Sequence, residues 1–250
     1  MALASNVQGT EVLSMKTAMN YIRRLILILL LSSVVHAADE KLYVFYPLTI
    51  RPQQVQELLQ KNLNGVSVTV FGRVNDFKAR IGLDPPDAIL TKPALVEQMN
   101  GFIVSIKGIR NGSSEEKYRL ISINRQIDID SVTSETVIGV IDVLGRTAMK
   151  AFIAGVFPVE PKLKQVTKIE DLLPLLTFSM ANGILIEDIF VDYFRKTSNL
   201  SFKISPPLPS KKGIIVLSYR KDSSGEAITL EQFKGNPVIN RLFEIEKWKP

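Results

Sequence analysis

Short apolar runs rich in valine, isoleucine and leucine alternate along the chain with segments whose apolar residues recur every three or four positions. The first run, Leu42–Tyr46, predicts a strand, and "RPQQVQELLQKNL" after it predicts a helix with one apolar face. The strand-like run "VSVTVF", a short helix, a strand at Ala88–Leu90 and a helix opened by Pro93 follow. This βαβαβ order predicts a parallel sheet covered by helices.

The middle of the chain begins with two strand-like runs, "GFIVSIKGI" and "KYRLISI", which a loop separates. A second alternation follows, in which "ETVIGVID" predicts a strand and Gly145–Val156 predicts a helix. Another helix is predicted over "TKIEDLLPLLTFSM", where Thr167 and Glu170 have capping-box spacing and Pro174 is expected to kink or interrupt the helix. The strand "NGILI", the helix "EDIFVDYFRKTS" and the strand "LSFKI" complete the series.

The segment Ser205–Gly213, "SPPLPSKKG", predicts a linker, because clustered prolines cannot continue a helix or a central strand. After it, "IIVLSYR" predicts one more strand, and the remainder predicts helical structure to the end, with Trp248 packed against the last helix. We therefore expect an α/β protein of two lobes, each a mainly parallel sheet flanked by helices. Residues 38–125 plus 206–250 would form lobe 1, and residues 126–205 would form lobe 2, with chain crossings near Arg125–Ser131 and at Ser205–Gly213. Ligands of such sheets bind beyond the carboxyl ends of the strands, so the cleft between the lobes is the expected site.

Residues 1–37 read as an upstream extension followed by a cleaved signal peptide. Arg23 and Arg24 precede the apolar run that begins "LILILLL", and Val35 to Ala37 offer a cleavage pattern, so Ala38 or Asp39 would begin the mature chain. Met19 would then be the true start. The apolar run is short for a membrane span, although an uncleaved signal anchor is the alternative. This pattern favours a periplasmic protein of a Gram-negative bacterium.

Composition excludes several kinds of chemistry. The chain has no cysteine, and its one histidine, His36, lies within the signal segment. A mature chain without either residue cannot build a serine–histidine–aspartate triad, a cysteine nucleophile or a zinc site of thiolates or imidazoles. Residues 38–250 hold 28 basic and 24 acidic residues, a net charge of +4, without the clustered basic and aromatic residues of a nucleic-acid surface. We expect a binder rather than an enzyme, with no metal and no cofactor, although chemistry by carboxylates or lysine stays open.

Three stretches give the chain its resemblance to a known family: "DAILTKPALVEQM", "VIGVIDVLGRTAM" and "ISPPLP". In order of elements, the mature chain resembles type 2 periplasmic solute-binding proteins, and among them the phosphate, phosphite and phosphonate binders of ABC transporters. The resemblance implies a monomer that closes two lobes around a small, anionic solute and delivers it to an inner-membrane ABC permease, or that signals to a sensor kinase. The chain departs from the phosphonate binders at Leu144–Thr147, where they have a turn rich in serine and threonine.

The best candidate for an anion site is the turn formed by Gly145, Arg146 and Thr147. Glycine lets the backbone approach a ligand, the amides at a helix start can bind an anion, and arginine can bind carboxylate or phosphate through two hydrogen bonds. The alternative is a tight strand-to-helix turn in which Arg146 pairs with Asp142 or with water.

Lobe 1 supplies the other candidates, which follow two of its predicted strands: Tyr46, Leu48, Thr49, Thr91, Lys92 and Pro93. Lys92 could pair with a ligand held by Arg146, or it could be a surface lysine. Tyr46 could stack on a ligand, or it could be a core aromatic. Phe71, Gly72 and Arg73 follow the next predicted strand and are weaker candidates for the same kind of ligand contact.

Glu187 and Asp188 could select a ligand amine, or they could begin a helix whose dipole favours acidic residues. Three functional hypotheses remain open: a solute-binding protein, an extracytoplasmic sensor or interaction module of the same fold, and an enzyme that uses two converging carboxylates. A cleft filled by apolar side chains, or Arg146 held by Asp142, would favour the module.

Overall fold

The structure is a computed structural model that describes residues 40–208, 212–223 and 230–250. The predicted extension and signal peptide lie outside these residues. The strands are β1 (Glu40–Val44), β2 (Val66–Val70), β3 (Ala88–Thr91), β4 (Phe102–Ile109), β5 (Tyr118–Ser122), β6 (Val137–Ile141), β7 (Lys162–Val166), β8 (Gly183–Glu187), β9 (Lys203–Ile204), β10 (Val216–Arg220) and β11 (Lys247–Lys249). The helices are α1 (Pro52–Asn62), α2 (Val74–Leu83), α3 (Pro93–Val96), α4 (Arg146–Ala154), α5 (Leu172–Thr177), α6 (Val191–Thr197), α7 (Leu230–Phe233) and α8 (Pro237–Phe243).

Two sheets divide these elements into two lobes. The first sheet has the strand order β11-β4-β10-β3-β1-β2, and the second has the order β7-β6-β8-β5-β9. In the first sheet β1 runs parallel to β2 and β3, whereas β10 and β11 pair antiparallel. In the second, β6 runs parallel to β7 and β8, and β5 pairs antiparallel with β8 and β9. The two-lobed α/β fold is confirmed, but the sheets are mixed rather than mainly parallel.

The first crossing between the lobes lies earlier than the sequence predicts. The strand β5, which we expected in lobe 1, hydrogen-bonds to β8 in the second sheet. The crossing is therefore Arg110–Lys117 rather than the region near Arg125. It lies beside the returning segment, since the Glu116 amide donates to the Lys212 carbonyl and the Ile214 amide donates to the Ser114 carbonyl. An apolar strand has the same pattern in either sheet, so periodicity alone could not assign β5.

Two local expectations also differ from the structure. Pro174 is the third residue of α5 instead of a kink in a longer helix, because the preceding residues Ile169–Asp171 form a separate 3₁₀ turn. Such a position suits proline, whose missing amide has no partner in a first helical turn. No side-chain capping bond forms at the start of that turn, so the Thr167 capping box is wrong.

The end of the chain returns to the first sheet. Residues around Trp248 form β11, paired with β4, where we expected helix. Trp248 nevertheless packs at the last helix as predicted: its indole N–H donates to the Asn240 side chain at 2.9 Å, and its ring meets Phe233 edge-on. The strand forms because the backbone of β4 offers a free edge to the residues that follow α8.

One cluster of buried apolar side chains contains members of both lobes. Phe77 and Leu95 belong to the first lobe, whereas Leu120 and Leu144 belong to the second, and all are at most 3% exposed. A second cluster covers the other face of the first sheet, against α1 and α8. The two lobes thus pack against each other through apolar surface as well as through the polar contacts described below.

Candidate functional site

The ends of three strands meet between the lobes. Tyr46 follows β1 and Lys92 follows β3 in the first lobe, and Glu187 ends β8 in the second. The Lys92 ammonium lies 2.9 Å from Glu187 Oε1, and the Tyr46 hydroxyl donates to Glu187 Oε2 at 3.0 Å. The same ammonium lies 4.8 Å from the centre of the Tyr46 ring, within range of a cation–π contact. The cleft base is therefore closed by the protein's own side chains.

The first crossing adds a second ion pair to this group. The Arg110 guanidinium donates to both carboxylate oxygens of Glu116, at 3.0 and 3.1 Å, and Lys92 Nζ lies 3.8 Å from Glu116 Oε2. Arg110 also donates to the carbonyls of Phe243 and Glu244. We name as the charge cluster the residues Tyr46, Lys92, Arg110, Glu116 and Glu187.

Burial and mutual contact shift the acids of the charge cluster in opposite directions. Lys92, Glu116 and Glu187 are 4%, 3% and 5% exposed. Burial, together with the neighbouring Glu187 carboxylate, raises the pKa of Glu116 from 4.5 to about 8. Burial is the largest effect on Glu187 and opposes its ionisation, but Lys92, the Glu116 side chain and Arg110 together outweigh it and leave the pKa of Glu187 below its ordinary value. Burial raises the pKa of the Tyr46 phenol well above 10.0.

The turn at Gly145 faces the first lobe. Gly145 has a φ of +91°, a conformation that strongly favours glycine, and its amide donates to the Asp142 carboxylate at 2.7 Å. Lys78, on α2 of the first lobe, donates to the Leu144 carbonyl at 2.7 Å. Asp142 thus stabilises the turn itself. Burial lowers the pKa of Lys78 against the opposing effect of Asp142.

Arg146 and Thr147 begin α4 with exposed side chains. Among the described residues, no ion pair joins Arg146 to Asp142 or to any other acid. The alternative in which Asp142 holds Arg146 is therefore wrong, and the anion site at this turn stays a prediction.

The remaining lobe 1 candidates divide between core and groove. Thr91 is fully buried, and its hydroxyl has no hydrogen-bond partner in the described part of the chain. Pro93 packs against Gly213, where a Cβ would come within 2.5 Å of the proline ring. Leu48 and Thr49 line two grooves between the lobes. Asp188 pairs with Arg119, at 2.6 Å, within the second lobe.

Two grooves remain open beside the charge cluster. One, of about 570 Å³, lies between the loops after β1 and β2 and second-lobe residues Ile141 and Thr167–Glu170. The other, of about 760 Å³, lies between Leu48–Ile50, α6 and α8. Phe71, Gly72 and Arg73 all line the first groove.

Arg110 and Glu116 are the members of the cluster that sequence reasoning missed. Each lies next to an apolar strand run, at the boundary of a predicted loop, where charged residues are common on a solvated surface. Glu187 and Lys92 were candidates as contacts for a ligand, whereas the structure pairs them with each other. Two carboxylates do converge here, as the enzyme hypothesis requires. Both are buried, and Lys92 and Arg110 contact them directly, so no substrate reaches them in this arrangement.

Among residues 40–208, 212–223 and 230–250, no group of three or more acidic or histidine side chains could hold a metal ion. The same residues include no helix that is long and apolar enough to cross a membrane.

No family model matches the sequence, and no curated protein matches it. Solved structures are similar to it in fold. The amino acid ABC transporter substrate-binding protein AbpA from Streptococcus pneumoniae, bound to L-arginine, has a TM-score of 0.58 at 14% identity, over 84% of this chain and 96% of that one. The periplasmic VFT2 domain of BvgS from Bordetella pertussis has a TM-score of 0.55 at 12% identity, over 83% and 94%.

The ligand-binding core of GluR0 from Nostoc punctiforme, in complex with L-glutamate, has a TM-score of 0.54 at 11% identity, over 82% of this chain and 91% of that one. None of the three structures supports the phosphate and phosphonate group to which the sequence resemblance pointed. At these identities the likeness shows the fold alone, and that fold is the two-lobed α/β fold of periplasmic solute-binding proteins.

Proposed function

We propose that the protein captures a small solute between its lobes in the periplasm and delivers it to an ABC permease, without a chemical step. The observation that carries this proposal is the groove of about 570 Å³, which the strand-to-helix loops of both lobes line. Its size lies within the range of small-molecule sites, and residues from both sides would contact one bound molecule. A molecule that contacts both lobes shifts the balance between their closed and open arrangements, and a membrane partner can recognise that change.

Charges in the groove support a solute that carries an acidic group. Arg51, Arg73 and Lys168 line it together with two acids, Asp76 and Glu170, and all five are exposed. The excess of cations favours a carboxylate or a phosphate, and the two acids leave room for an amine on the same molecule. The L-arginine and L-glutamate bound by similar structures add amino acids to the solutes worth testing.

A thermal-shift screen of phosphate, phosphonates, carboxylates, sulfonates and amino acids tests this proposal. A solute that binds only the folded protein stabilises it by about 2.7 kcal/mol at a concentration of a hundred times Kd. We expect Lys168→Ala to weaken the effect of a positive compound, and Lys164→Ala, an exposed lysine of β7 outside the groove, to leave it unchanged. A folded protein that no compound stabilises would contradict solute capture.

The second candidate is an extracytoplasmic sensor or interaction module with the same fold. The charge cluster favours it, because the contact between Lys92 and Glu187 joins the lobes with no solute taking part. Under this function the groove variants would leave the membrane partner's response intact. Pull-down of inner-membrane proteins by wild-type protein and by Lys168→Ala, each with and without the screened solute, separates the two candidates.

A further inference from the structure

The ion pair between Lys92 and Glu187 exists only while the lobes are together. Lys92 extends from the end of β3 in the first sheet, and Glu187 ends β8 in the second. Only the two crossing segments join the sheets covalently, so a rotation about those segments would separate the two side chains. Tyr46, also of the first lobe, donates its hydroxyl to the same carboxylate.

We propose that Lys92, Tyr46 and Glu187 form an interlobe latch that holds the protein closed in the absence of any solute. The proposal goes beyond solute capture and does not depend on it, since the latch uses only side chains of this chain.

The partners of the latch decide whether its charges favour closure. A buried ion pair is often no better than its hydrated separate ions, unless further hydrogen bonds satisfy both partners. Here both oxygens of Glu187 are used, one by Lys92 and one by Tyr46. Arg110 is satisfied separately, by Glu116 and by the carbonyls of Phe243 and Glu244.

Removing one partner has a different consequence from removing both. In Lys92→Met the Glu187 carboxylate keeps the Tyr46 bond but loses its nearest counter-charge inside the closed protein. It is then relieved either by uptake of a proton or by opening to water, so the open form gains population at a pH high enough to keep Glu187 ionised. In Lys92→Met/Glu187→Gln neither charge remains, and glutamine still accepts the Tyr46 hydroxyl. The double variant should therefore be more closed than either single variant.

A second contact crosses the cleft away from the latch. Lys78 donates both to the Leu144 carbonyl of the second lobe and to Gln98 of its own lobe. The apolar cluster shared by both lobes supplies non-directional attraction, whereas the latch fixes which side chains meet.

Distance measurements between the lobes test the proposal without any solute. Because the chain has no cysteine, Lys61→Cys on α1 and Lys150→Cys on α4 give one exposed spin-label site in each lobe. We expect one short distance in the labelled wild type, and a longer distance whose population rises at least about tenfold in Lys92→Met and in Glu187→Gln. Lys162→Met removes an exposed ion pair with Glu135 inside the second lobe, and it should leave the distances unchanged.

Chemical rescue separates loss of the latch from a general loss of structure. Lys92→Ala leaves space for a small amine, so n-propylammonium should restore the short distance and n-propanol should not. A long distance in the wild type without solute, or distances unchanged in both single variants, would overturn the latch. If Lys92→Met does not fold, the test compares the double variant with Glu187→Gln. Equal populations of the long distance in these two variants would overturn the latch. None of these results bears on the solute screen, whose failure would contradict solute capture alone.

Discussion

Replacing Glu116 with glutamine should remove most of the pH dependence that the charge cluster gives to folding stability. Burial beside Glu187 raises the pKa of Glu116 from 4.5 to about 8 in the folded protein. In the unfolded chain the carboxyl titrates near its ordinary value. Between these two pH values the folded state holds a proton that the unfolded state lacks, so the free energy of unfolding falls as the pH rises from about 4.5 to about 8.

The size of the effect follows from the difference in pKa. Each unit corresponds to about 1.4 kcal/mol, so a pKa near 8 gives a fall of about 5 kcal/mol over the whole range and of about 2–3 kcal/mol between pH 5 and pH 7. Glu187 acts with the opposite sign, because its pKa is lowered, but its contribution is lost only as the pH falls below 4.5. The groups that face Glu116 are Lys92, Arg110, Glu187, Tyr46 and Tyr118.

Urea unfolding at pH 5, 6, 7 and 8 measures this dependence. In Glu116→Gln the amide is neutral throughout, and its oxygen can still accept a hydrogen bond from Arg110, so we expect a much flatter profile than in the wild type. Glu115→Gln changes the exposed neighbouring carboxylate and should keep the wild-type profile. The pKa of Glu244 is also raised, first by burial, so a small slope should remain. A Glu116→Gln profile as steep as that of the wild type would refute the reasoning.

Two further substitutions test the local structure, each by urea unfolding. Gly145→Ala should destabilise the protein by about 1–3 kcal/mol, because φ at this residue is +91°. The control Gly82→Ala, in α2 with no atom near the added methyl group, should be neutral or stabilising. Equal effects at the two sites would contradict the account. Asn236→Ala should cost about 0.5–2 kcal/mol, since this side chain accepts the first free amides of α8. No loss there would mean that the cap is not needed.

The sequence predicts the order of the elements well, because hydrophobic periodicity is local. The run Leu42–Tyr46 corresponds to β1, the helix opened by Pro52 to α1, and the strand before Gly145 to β6. Proline and glycine add reliable boundaries, since each restricts or extends the backbone whatever surrounds it. Two α/β lobes followed from these signals together with the proline-rich segment Ser205–Gly213.

The candidate site was predicted only in part, because a charged side chain near a strand end has several possible partners. The sequence offers Tyr46, Lys92 and Glu187 as contacts for a ligand in the cleft, or else as a core aromatic, a surface lysine and the start of a helix. The structure pairs them with one another, since the second sheet brings Glu187 to within 2.9 Å of Lys92. No spacing in the sequence joins residues that are 95 positions apart.

Sequence alone thus determined most of the strands and helices, though not β11, and predicted that two lobes with their strand ends face a common cleft. Tertiary structure alone decided that β5 belongs to the second sheet, that the first crossing is Arg110–Lys117, and that this crossing supplies Arg110 and Glu116 to the cleft base. The physical reason is the distance along the chain over which each kind of interaction acts. Backbone preferences and apolar periodicity act over a few residues, whereas the pairing of buried charges depends on which distant segments the packed sheets bring together.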